Sequence, residues 1–439
     1  MKLQSVRGTK DILPEESPRW QHCEALFRRV AALYGFQEIR IPVFEVTELF
    51  ARGMGETTDV VSKEMYTFLD MGKDSLTLRP EATAGIVRAA IEHTLIEKNP
   101  VARLWYCGAM FRQERPQKGR YRQFHQFDAE LLGAATPEAD AEILAFAYQI
   151  VRELGIASFE VRLNSLGNTP SRLRYKDLLL EHFRPVRHQL SQDSQNRLER
   201  NPMRILDSKQ PEDAEFVRSA PLLTDALDDE SRAYFDNVQT LLSALGIPFT
   251  IDPRLVRGLD YYCHTAFELV TTRLGSQNAL GGGGRYDGLF EQLGGKPTPG
   301  VGFALGIERL LLLMEEEGKL PQTTTATDVY IVALDAASRE RGTQLAFQLR
   351  GCGVRVMTDV LARSFKAQMR DADRTGAALV VIIGEHERER NVCIVKTMAN
   401  GEQQEYPLDA AKTLAALVQS TNAPHQPSNS IEHTLNTGM

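Results

Sequence analysis

Cysteine is scarce in this chain, and long hydrophobic runs are missing. The five cysteines are scattered along 439 residues and no C-x-x-C pair occurs, so the sequence predicts free thiols and no metal site. The apolar runs, such as residues 377–383, fall far short of the roughly 18 to 20 residues that cross a bilayer. Charges at Arg7, Lys10 and Asp11 interrupt the N-terminal segment, which does not resemble a secretory signal. We therefore expect a cytoplasmic protein with no membrane span.

The two common nucleotide-binding motifs are also absent, although glycine is abundant. Glycines 281–284 are followed by Arg285, whereas a phosphate-binding P-loop ends in Gly-Lys followed by Ser or Thr. The glycines of Gly300–Gly306 have the wrong spacing for a dinucleotide fingerprint. Taken alone, glycines 281–284 are compatible with tight turns and close backbone packing or with a ligand site. Both interpretations stay open on this evidence.

Negative charge prevails overall but is distributed unevenly. The chain carries 58 acidic and 51 basic residues, a net charge of −7. Residues 103–122 nevertheless hold six basic residues against one acidic residue, and residues 171–209 hold nine against five. Hydrophobic residues at 42% and charged residues at 25% are typical of globular domains. The charge distribution predicts that the protein binds a polyanion through these two basic stretches rather than over its whole surface.

The first part of the chain, up to about residue 325, mixes helix and strand patterns. Apolar spacing predicts helices at 14–34, 82–97 and 137–154, and strands at 36–44, 76–78, 102–111, 121–132, 159–163, 249–251 and 265–271. Residues 300–314 are predicted to run from a strand into a helix. The strands at 102–111 and 121–132 flank a polar loop with Pro116 and Gly119, which indicates an antiparallel pair. A helical, polar insertion covers about 169–229. We expect an α+β domain at 1–325 with a mixed, mainly antiparallel sheet.

A linker at 318–327, rich in Gly, Pro and Thr, separates this domain from a second one at 326–420. The second domain is predicted to alternate strands at 329–334, 354–357 and 379–383 with helices at 338–349, 364–375 and 409–418, and to contain a hairpin at Asn400–Gly401. This alternation is typical of a partly parallel α/β domain. The tail at 421–439 has no Lys or Arg and is expected to be disordered.

The densest chemical signal is the loop Arg112–Arg122 and the strand that follows it. Arginine forks at the end of a sheet suit phosphate and carboxylate oxygens. Gln126, Asp128 and Glu130 alternate along the strand and should share one face. Such polar groups in an apolar domain are unusual unless a ligand satisfies them. The alternative is a charged hairpin exposed to water.

These segments resemble a known family. Arg112–Arg122 is similar to motif 2 of the class II aminoacyl-tRNA synthetases, Gly302–Arg309 is similar to motif 3, and Tyr34–Pro42 is similar to motif 1, which supports the dimer in that class. Within the class, four further segments resemble those of histidyl-tRNA synthetases, namely Arg7–Pro14, Leu78–Thr83, Arg257–Tyr262 and Gly283–Leu289. The resemblance extends from about residue 5 to residue 420.

The resemblance implies a two-step ligase reaction in a homodimer with a C-terminal anticodon-binding domain. L-Histidine and ATP, with Mg²⁺ as part of the substrate and no tightly bound cofactor, would give histidyl-adenylate and pyrophosphate. Histidine would then pass to the 3′ end of tRNA(His). No protein nucleophile is required, because such a reaction mainly asks the protein to position anions and neutralise growing charge.

Residue roles follow from the same resemblance. Glu81, Thr83 and Gln126 would hold the α-amino group of histidine, and Glu130 and Tyr262, with Tyr261 nearby, would hold the imidazole. Arg112, Arg257 and Arg309 would be catalytic and, together with Glu114, would bind ATP. Gln117, Lys118 and Arg120 would contact the tRNA acceptor end.

Two other functions remain open at this point. A catalytically silent relative, like the regulatory subunit of ATP phosphoribosyltransferase, would sense histidine; the full set of arginines and the second domain argue against it. A synthetase-like enzyme with an acceptor other than tRNA is the second, and the basic insertion argues against that one.

Overall fold

The computed structural model describes residues 3–55, 58–206, 208, 210–275, 278–321 and 327–422. The chain forms two compact units, Met1–Pro321 and Gln322–Met439. Within the described ranges, no helix is both long enough and apolar enough to cross a membrane. Most of the predicted tail and the centre of the predicted linker lie outside the described residues.

The large unit combines a main sheet, a small sheet and surrounding helices. Its strands are β1 Gln37–Glu38, β2 Phe44–Val46, β3 Tyr66–Leu69, β4 Ser75–Leu78, β5 Ala102–Phe111, β6 Gln123–Leu132, β7 Glu160–Ser165, β8 Thr250–Ile251, β9 Cys263–Val270, β10 Ala279–Arg285 and β11 Gly300–Gly306. Its helices are α1 Ser17–Leu33, α2 Thr47–Met54, α3 Thr83–Glu92, α4 Leu95–Lys98, α5 Pro137–Glu153, α6 Thr169–Phe183, α7 Gln192–Leu198, α8 Ala214–Ser219, α9 Asp229–Ala244, α10 Leu289–Gln292 and α11 Ile307–Glu316. The segment predicted as an insertion is helical, with α6, α7, α8 and short 3₁₀ turns.

The main sheet has eight strands in the order β1-β5-β6-β11-β10-β9-β7-β8. All neighbours are antiparallel except β1 with β5 and β7 with β8. The predicted pairing of the two strands around the arginine loop is confirmed, with Ala102 opposite Leu132 and Phe111 opposite Gln123. The predicted fold class, a mixed and mainly antiparallel sheet, is therefore confirmed.

The two faces of the main sheet differ because side chains alternate along β6. Phe127, Ala129 and Leu131 point to an apolar core that α1, α5 and α11 cover. Phe146 of α5 meets Phe303 of β11 there edge to face, with ring centroids 5.2 Å apart. The intervening residues of β6 point to the opposite face, and the cavity described below lies on that face.

Two predicted elements were wrong. The strand expected at 36–44 is split into β1 and β2, which belong to different sheets, because Pro42 lacks the N–H that a ladder needs. The carbonyls of Ile41 and Pro42 instead accept hydrogen bonds from Arg79 Nη1, at 2.9 and 3.2 Å. The helix expected at 82–97 stops at Glu92, since Thr94 is left-handed with φ 52°, and α4 follows it as a separate turn.

The small sheet has the order β2-β4-β3 and an inverted pattern of burial. Phe44 and Val46 of β2 and Phe68 of β3 share one face and are 52%, 54% and 43% exposed. The opposite face carries threonines, and the buried Thr77 hydroxyl lies 2.9 Å from the Thr67 hydroxyl. The polar side of this sheet is therefore covered at Thr77 of its central strand, while Thr67 stays exposed and the apolar residues of β2 and β3 face outward. Exposed apolar surface of this kind is typical of interaction sites.

The second unit is an α/β domain, as predicted. Its strands are β12 Val329–Ala333, β13 Val356–Thr358, β14 Leu379–Ile383, β15 Val392–Thr397 and β16 Gln403–Pro407, and its helices are α12 Ala336–Gly351, α13 Phe365–Arg374, α14 Glu385–Glu389 and α15 Ala411–Asn422. The sheet order is β13-β12-β14-β15-β16, with β12 parallel to both neighbours. The expected hairpin is formed by β15 and β16. The short helix α14 was not predicted.

Candidate functional site

A cavity of about 230 Å³ opens in the large unit on the polar face of β6. Most of the residues predicted to form a site line it: Glu81, Thr83, Arg112, Glu114, Arg120, Gln126, Glu130, Arg257, Tyr261, Tyr262 and Arg309. Gln117 and Lys118 are not among its lining residues. The fold thus brings together, around one cavity, residues that lie far apart in sequence; Glu81 and Arg309 are separated by 228 positions.

The glycines at 281–284 form the centre of β10, beneath this cavity. A Cβ added at Gly281 or Gly283 would lie 2.2 Å from the Ala304 carbonyl oxygen or 2.0 Å from the Gly302 carbonyl oxygen. At Gly282 it would lie 2.5 Å from the carbonyl oxygen of Phe267. The prediction of close backbone packing for these glycines is therefore confirmed, and the prediction of a tight turn is wrong. Gly281 and Gly282 also line the cavity.

Glu130 lies at one end of the cavity and is 1% exposed. Thr83 Oγ1 donates a hydrogen bond to its Oε1 at 2.6 Å, and the Tyr286 hydroxyl donates to its Oε2. Burial raises the pKa of the Glu130 carboxyl to about 8, although both of these hydrogen bonds favour the charged form. At neutral pH the carboxyl is therefore poised between an acceptor and a proton donor for a ring nitrogen.

Glu81 is buried beside Glu130, where α3 begins. Its two carboxylate oxygens accept the backbone N–H groups of Thr83 at 2.8 Å and Ala84 at 3.0 Å. Burial raises the pKa of Glu81, and these N–H groups and Arg112 oppose that shift. Thr83 therefore connects the two carboxyl groups, since its N–H binds Glu81 and its hydroxyl binds Glu130.

Three tyrosines form a wall around this acidic end. The Tyr261 ring centroid lies 4.6 Å from that of Tyr262 and 5.6 Å from that of Tyr286. Tyr286 was not predicted to have a role, although it belongs to the segment Gly283–Leu289 that resembles histidyl-tRNA synthetases. The adjacent Arg285 is fully buried, and its Nε lies 2.9 Å from Asp140 Oδ1. This buried ion pair fixes the end of β10 and, with it, the position of Tyr286.

The other end of the cavity is basic. Arg112 Nε donates to the Pro80 carbonyl at 2.9 Å, and Arg309 donates to the carbonyls of Gly119 at 3.1 Å and Ala279 at 2.6 Å. These contacts hold both guanidinium groups in fixed orientations. Together they place two permanent positive charges in a confined space, where anionic oxygens are strongly favoured.

Arg257 lies between the two ends. Its Nη1 donates to Glu268 Oε1 at 2.6 Å, and its guanidinium carbon lies 5.5 Å from the Tyr262 ring centroid. Its Nε is buried and has no hydrogen-bond partner among the described residues. The side chain is thus oriented by an acid and an aromatic ring and retains a donor for a ligand.

The loop between β5 and β6 divides its polar residues between the cavity and the surface. Arg120 lines the cavity, forms an ion pair with Glu114 and lies 3.7 Å from Glu64. Lys118 is exposed, and its Nζ lies 3.2 Å from Glu316. Gln117 and Arg120 exchange backbone hydrogen bonds of 3.0 and 2.9 Å, which close the turn.

This arrangement suits a ligand with a cationic, nitrogen-bearing part and a polyphosphate part. Carboxyl groups and tyrosine hydroxyls bind the first, and guanidinium groups bind the second. No group of three or more His, Cys, Asp or Glu side chains within the described ranges is arranged to hold a metal ion.

Comparison with known proteins gives consistent results for both units. The family described as Histidyl-tRNA synthetase matches residues 8–310, and the family described as Anticodon binding domain matches residues 328–416. The histidine–tRNA ligase of Geobacillus kaustophilus is 50% identical over 411 residues, which cover 93% of this chain and 96% of that protein. The histidine–tRNA ligase of Thermosynechococcus vestitus is 50% identical over 403 residues, 92% of this chain and 94% of that protein.

A solved structure gives the same result for the fold. The structure of apo S. aureus histidyl-tRNA synthetase superposes with a TM-score of 0.80 at 41% sequence identity. The match covers 96% of this chain and all of that one. The similarity therefore extends over both units.

Proposed function

Because the chain belongs to the histidyl-tRNA synthetase family, we propose how its cavity performs the ligation of histidine to tRNA. The enzyme is a histidine–tRNA ligase: histidine and ATP give histidyl-adenylate and pyrophosphate, and the histidyl group then passes to the 3′ end of tRNA. The single observation that carries the division of roles is one cavity that holds the carboxyl groups of Glu81 and Glu130 together with the guanidinium groups of Arg112, Arg257 and Arg309.

At the acidic end, the side chains recognise both nitrogen-bearing parts of histidine. Glu130 binds one imidazole nitrogen, with Tyr262 and Tyr261 nearby, and the α-ammonium group lies toward Glu81, Thr83 and Gln126. Buried polar groups of this kind discriminate strongly, because an analogue without the matching nitrogen leaves them unpaired. The Thr83 hydroxyl already binds Glu130, so Thr83 contributes chiefly by positioning the two carboxyl groups.

At the basic end, the arginines position the two reacting anions. Arg112 contacts the α-phosphate of ATP and the histidine carboxylate, Arg257 contacts the α-phosphate, and Arg309 contacts the outer phosphates. Glu114 orients Arg120 and contributes to the ATP site. A carboxylate oxygen of histidine forms a bond to the α-phosphorus, the bond to the bridging oxygen breaks, and pyrophosphate leaves. The guanidinium groups stabilise the charge that develops on the phosphate oxygens.

Magnesium enters this proposal as part of the ATP substrate. It supplies positive charge to the phosphates and prefers oxygen ligands, of which it usually takes only one or two carboxylates from the protein. The acids that line the cavity near the arginines, Glu114 and Glu268, provide suitable oxygens.

The tRNA partner is tRNA(His) in this proposal. Gln117, Lys118 and Arg120 lie on the loop between β5 and β6, and the first two point away from the cavity, where they contact the acceptor end. The second unit binds the anticodon, as its family description indicates. It carries twelve basic and twelve acidic residues from 328 to 412, so base contacts rather than net charge recognise the anticodon.

The proposed assembly is a homodimer formed through the small sheet. The outward face with Phe44, Val46 and Phe68 is apolar. Strand β2, which carries Phe44 and Val46, follows directly after the segment that resembles motif 1. We assign the domains to 1–325 and 326–420, with a tail at 421–439, and place the enzyme in the cytoplasm. The five free cysteines agree with a reducing compartment.

The test of this function is amino-acid-dependent exchange of labelled pyrophosphate into ATP, followed by charging of purified tRNA. We expect exchange with histidine alone among the twenty amino acids, and charging of tRNA(His) alone. A folded protein that binds histidine but supports no exchange would overturn the catalytic roles and favour a regulatory relative. Exchange without charging of any tRNA would point to another acceptor.

A further inference from the structure

Asp128 has no role in the function described so far, yet it faces the cavity between Gln126 and Glu130 on β6. The side chain is 1% exposed. Its Oδ2 is buried and has no hydrogen-bond partner within the described residues, and the same holds for Gln126 Oε1. Buried acceptors without donors are rare in folded proteins. Two of them lie side by side on one face of one strand, about 7 Å apart along the backbone.

The other two carboxyl groups at this end differ from Asp128 in this respect. Both oxygens of Glu81 accept backbone N–H groups. Both oxygens of Glu130 accept hydroxyl groups, one from Thr83 and one from Tyr286. Among these three acids, Asp128 alone keeps a buried oxygen that the described part of the chain leaves unsatisfied. A ligand that donates hydrogen bonds and carries positive charge is the natural partner for it.

The charged and titratable neighbours of Asp128 come from β6, from β5 and from the segments next to them, whereas the residue opposite it on β11 is Ala304. Its own strand contributes Glu130, and the segment before α3 contributes Glu81 and Arg79. Strand β5 contributes Tyr106 and Cys107, and the loop after it contributes Arg112. Burial, and then the negative charges of the two glutamates, raise the pKa of Asp128 well above its usual range, while the two arginines oppose the shift.

The sign of the proton linkage follows from these neighbours. A carboxyl group with a raised pKa keeps its proton at a pH where a normal aspartic acid is ionised. An ammonium group beside it favours the ionised form and lowers that pKa again. The arrival of a cation should therefore drive a proton from the carboxyl group into the solvent.

Resting on the proposed function, we propose that Asp128 is a further member of the subsite for the α-ammonium group of histidine, where it acts beside Gln126 Oε1. On binding, Asp128 passes from the neutral to the charged form and one proton moves to the buffer. The buried cation is then paired with a buried anion, and the carboxyl group is left neutral when the cavity is empty. Asp128 thereby makes the affinity for histidine depend on its amino group as well as on its imidazole.

Calorimetric titration tests this proposal. Histidine is titrated into the full-length enzyme near neutral pH in buffers with different heats of ionisation. The slope of the observed binding enthalpy against the heat of ionisation of the buffer gives the number of protons released. After subtraction of the protons that the imidazole of each free ligand carries at that pH, we expect wild-type enzyme to release a substantial fraction of one proton more with histidine than with imidazolepropionate, which lacks the amino group. Equal proton release with the two ligands would overturn the proposal without any substitution.

The isosteric variant Asp128→Asn provides the second measurement. We expect it to bind histidine on the order of 10- to 100-fold more weakly, the scale of a lost charge-assisted hydrogen bond, and to lose the additional proton release. Its affinity for imidazolepropionate should stay within a few-fold of wild type, which also shows that the variant is folded. An unchanged affinity for histidine would refute the subsite. If wild-type enzyme bound no histidine at all, the proposed function would fail instead.

Discussion

The guanidinium group of Arg257 is held in one orientation by its neighbours in the cavity. Glu268 holds its Nη1, the Tyr262 ring lies beside its guanidinium carbon, and its buried Nε has no partner among the described residues. A preorganised donor of this kind stabilises developing charge without reorganisation during the reaction. The neighbouring acid and ring restrict its motion in the cavity.

We expect Arg257→Ala to slow adenylate formation on the order of 10²- to 10³-fold, the range for loss of one preorganised charge-stabilising donor. Single-turnover measurement of adenylate formation at saturating ATP and histidine reports this step. Arg174→Ala, which removes an exposed arginine of α6, serves as the matched control and should react like wild type. A rate for Arg257→Ala within threefold of wild type would contradict the assigned role.

At this scale the sequence predicted which residues surround the cavity, because they belong to recognisable segments. It did not predict which residue contacts which. The hydrogen bond from the Thr83 hydroxyl to Glu130, for example, was not predicted. Asp128 and Tyr286 were left without roles, because the lack of a donor at one and the partner of the other depend on three-dimensional packing.

At the scale of elements, the site depends on how closely β6, β10 and β11 approach one another. Gly302 of β11 lies opposite Glu130 of β6 in the antiparallel ladder. A Cβ added at Gly302 would lie only 1.7 Å from Glu130 Oε2 and 2.5 Å from its Cδ. The carboxyl group of Glu130 therefore occupies the space that any larger residue at 302 would need.

The variant Gly302→Ala should displace Glu130 and weaken histidine binding. Overpacking costs roughly 1 to 3 kcal/mol; if that cost falls on histidine binding, the KM for histidine rises about 5- to 150-fold, with a smaller change in the KM for ATP. Steady-state pyrophosphate exchange measures both constants. Gly351→Ala, whose added Cβ meets nothing within 4 Å, is the control and should leave both constants unchanged. Equal increases in the two constants would argue against a local effect on Glu130.

Elements with strong periodicity and nearby turn residues were predicted well, such as β5, β14 and the strand-to-helix passage from β11 to α11. Errors arose where tertiary contacts override local pattern. Arg79 supplies hydrogen bonds to the carbonyls of Ile41 and Pro42 that strand pairing would otherwise provide, so the apolar run around them is not a strand. The glycines of β10 carry no strand signal of their own, because their role is visible only against β9 and β11.

At the scale of the whole molecule, the small sheet has an exposed apolar face, while Thr77 on its other face is buried. Opposite residues of an antiparallel pair share a face, so Val46, Leu76 and Phe68 lie side by side on the exposed one. The Phe44 and Phe68 rings are 6.4 Å apart in an edge-to-face arrangement. A continuous apolar surface of this kind favours association with a second copy.

We expect Phe68→Ser to weaken the proposed dimer at least tenfold, since loss of a large interface side chain often costs about 2 kcal/mol or more. Sedimentation over a range of protein concentrations measures the dissociation constant. Phe347→Ser removes a phenylalanine that is 77% exposed in the second unit and should leave assembly unchanged. A wild-type chain that sediments as a monomer at all concentrations would contradict the proposed interface.

The glycine strand beneath the cavity also bears on inhibition. Gly281 and Gly282 present main-chain atoms to the cavity, and a side chain at either position would collide with neighbouring backbone. An inhibitor that contacts the main chain of Gly281 and Gly282 binds a surface whose shape a point mutation at these positions cannot change without disrupting the sheet. Resistance would then have to arise in the walls, and under the proposed roles a substitution at Tyr261, Glu130 or the arginines would also reduce activity.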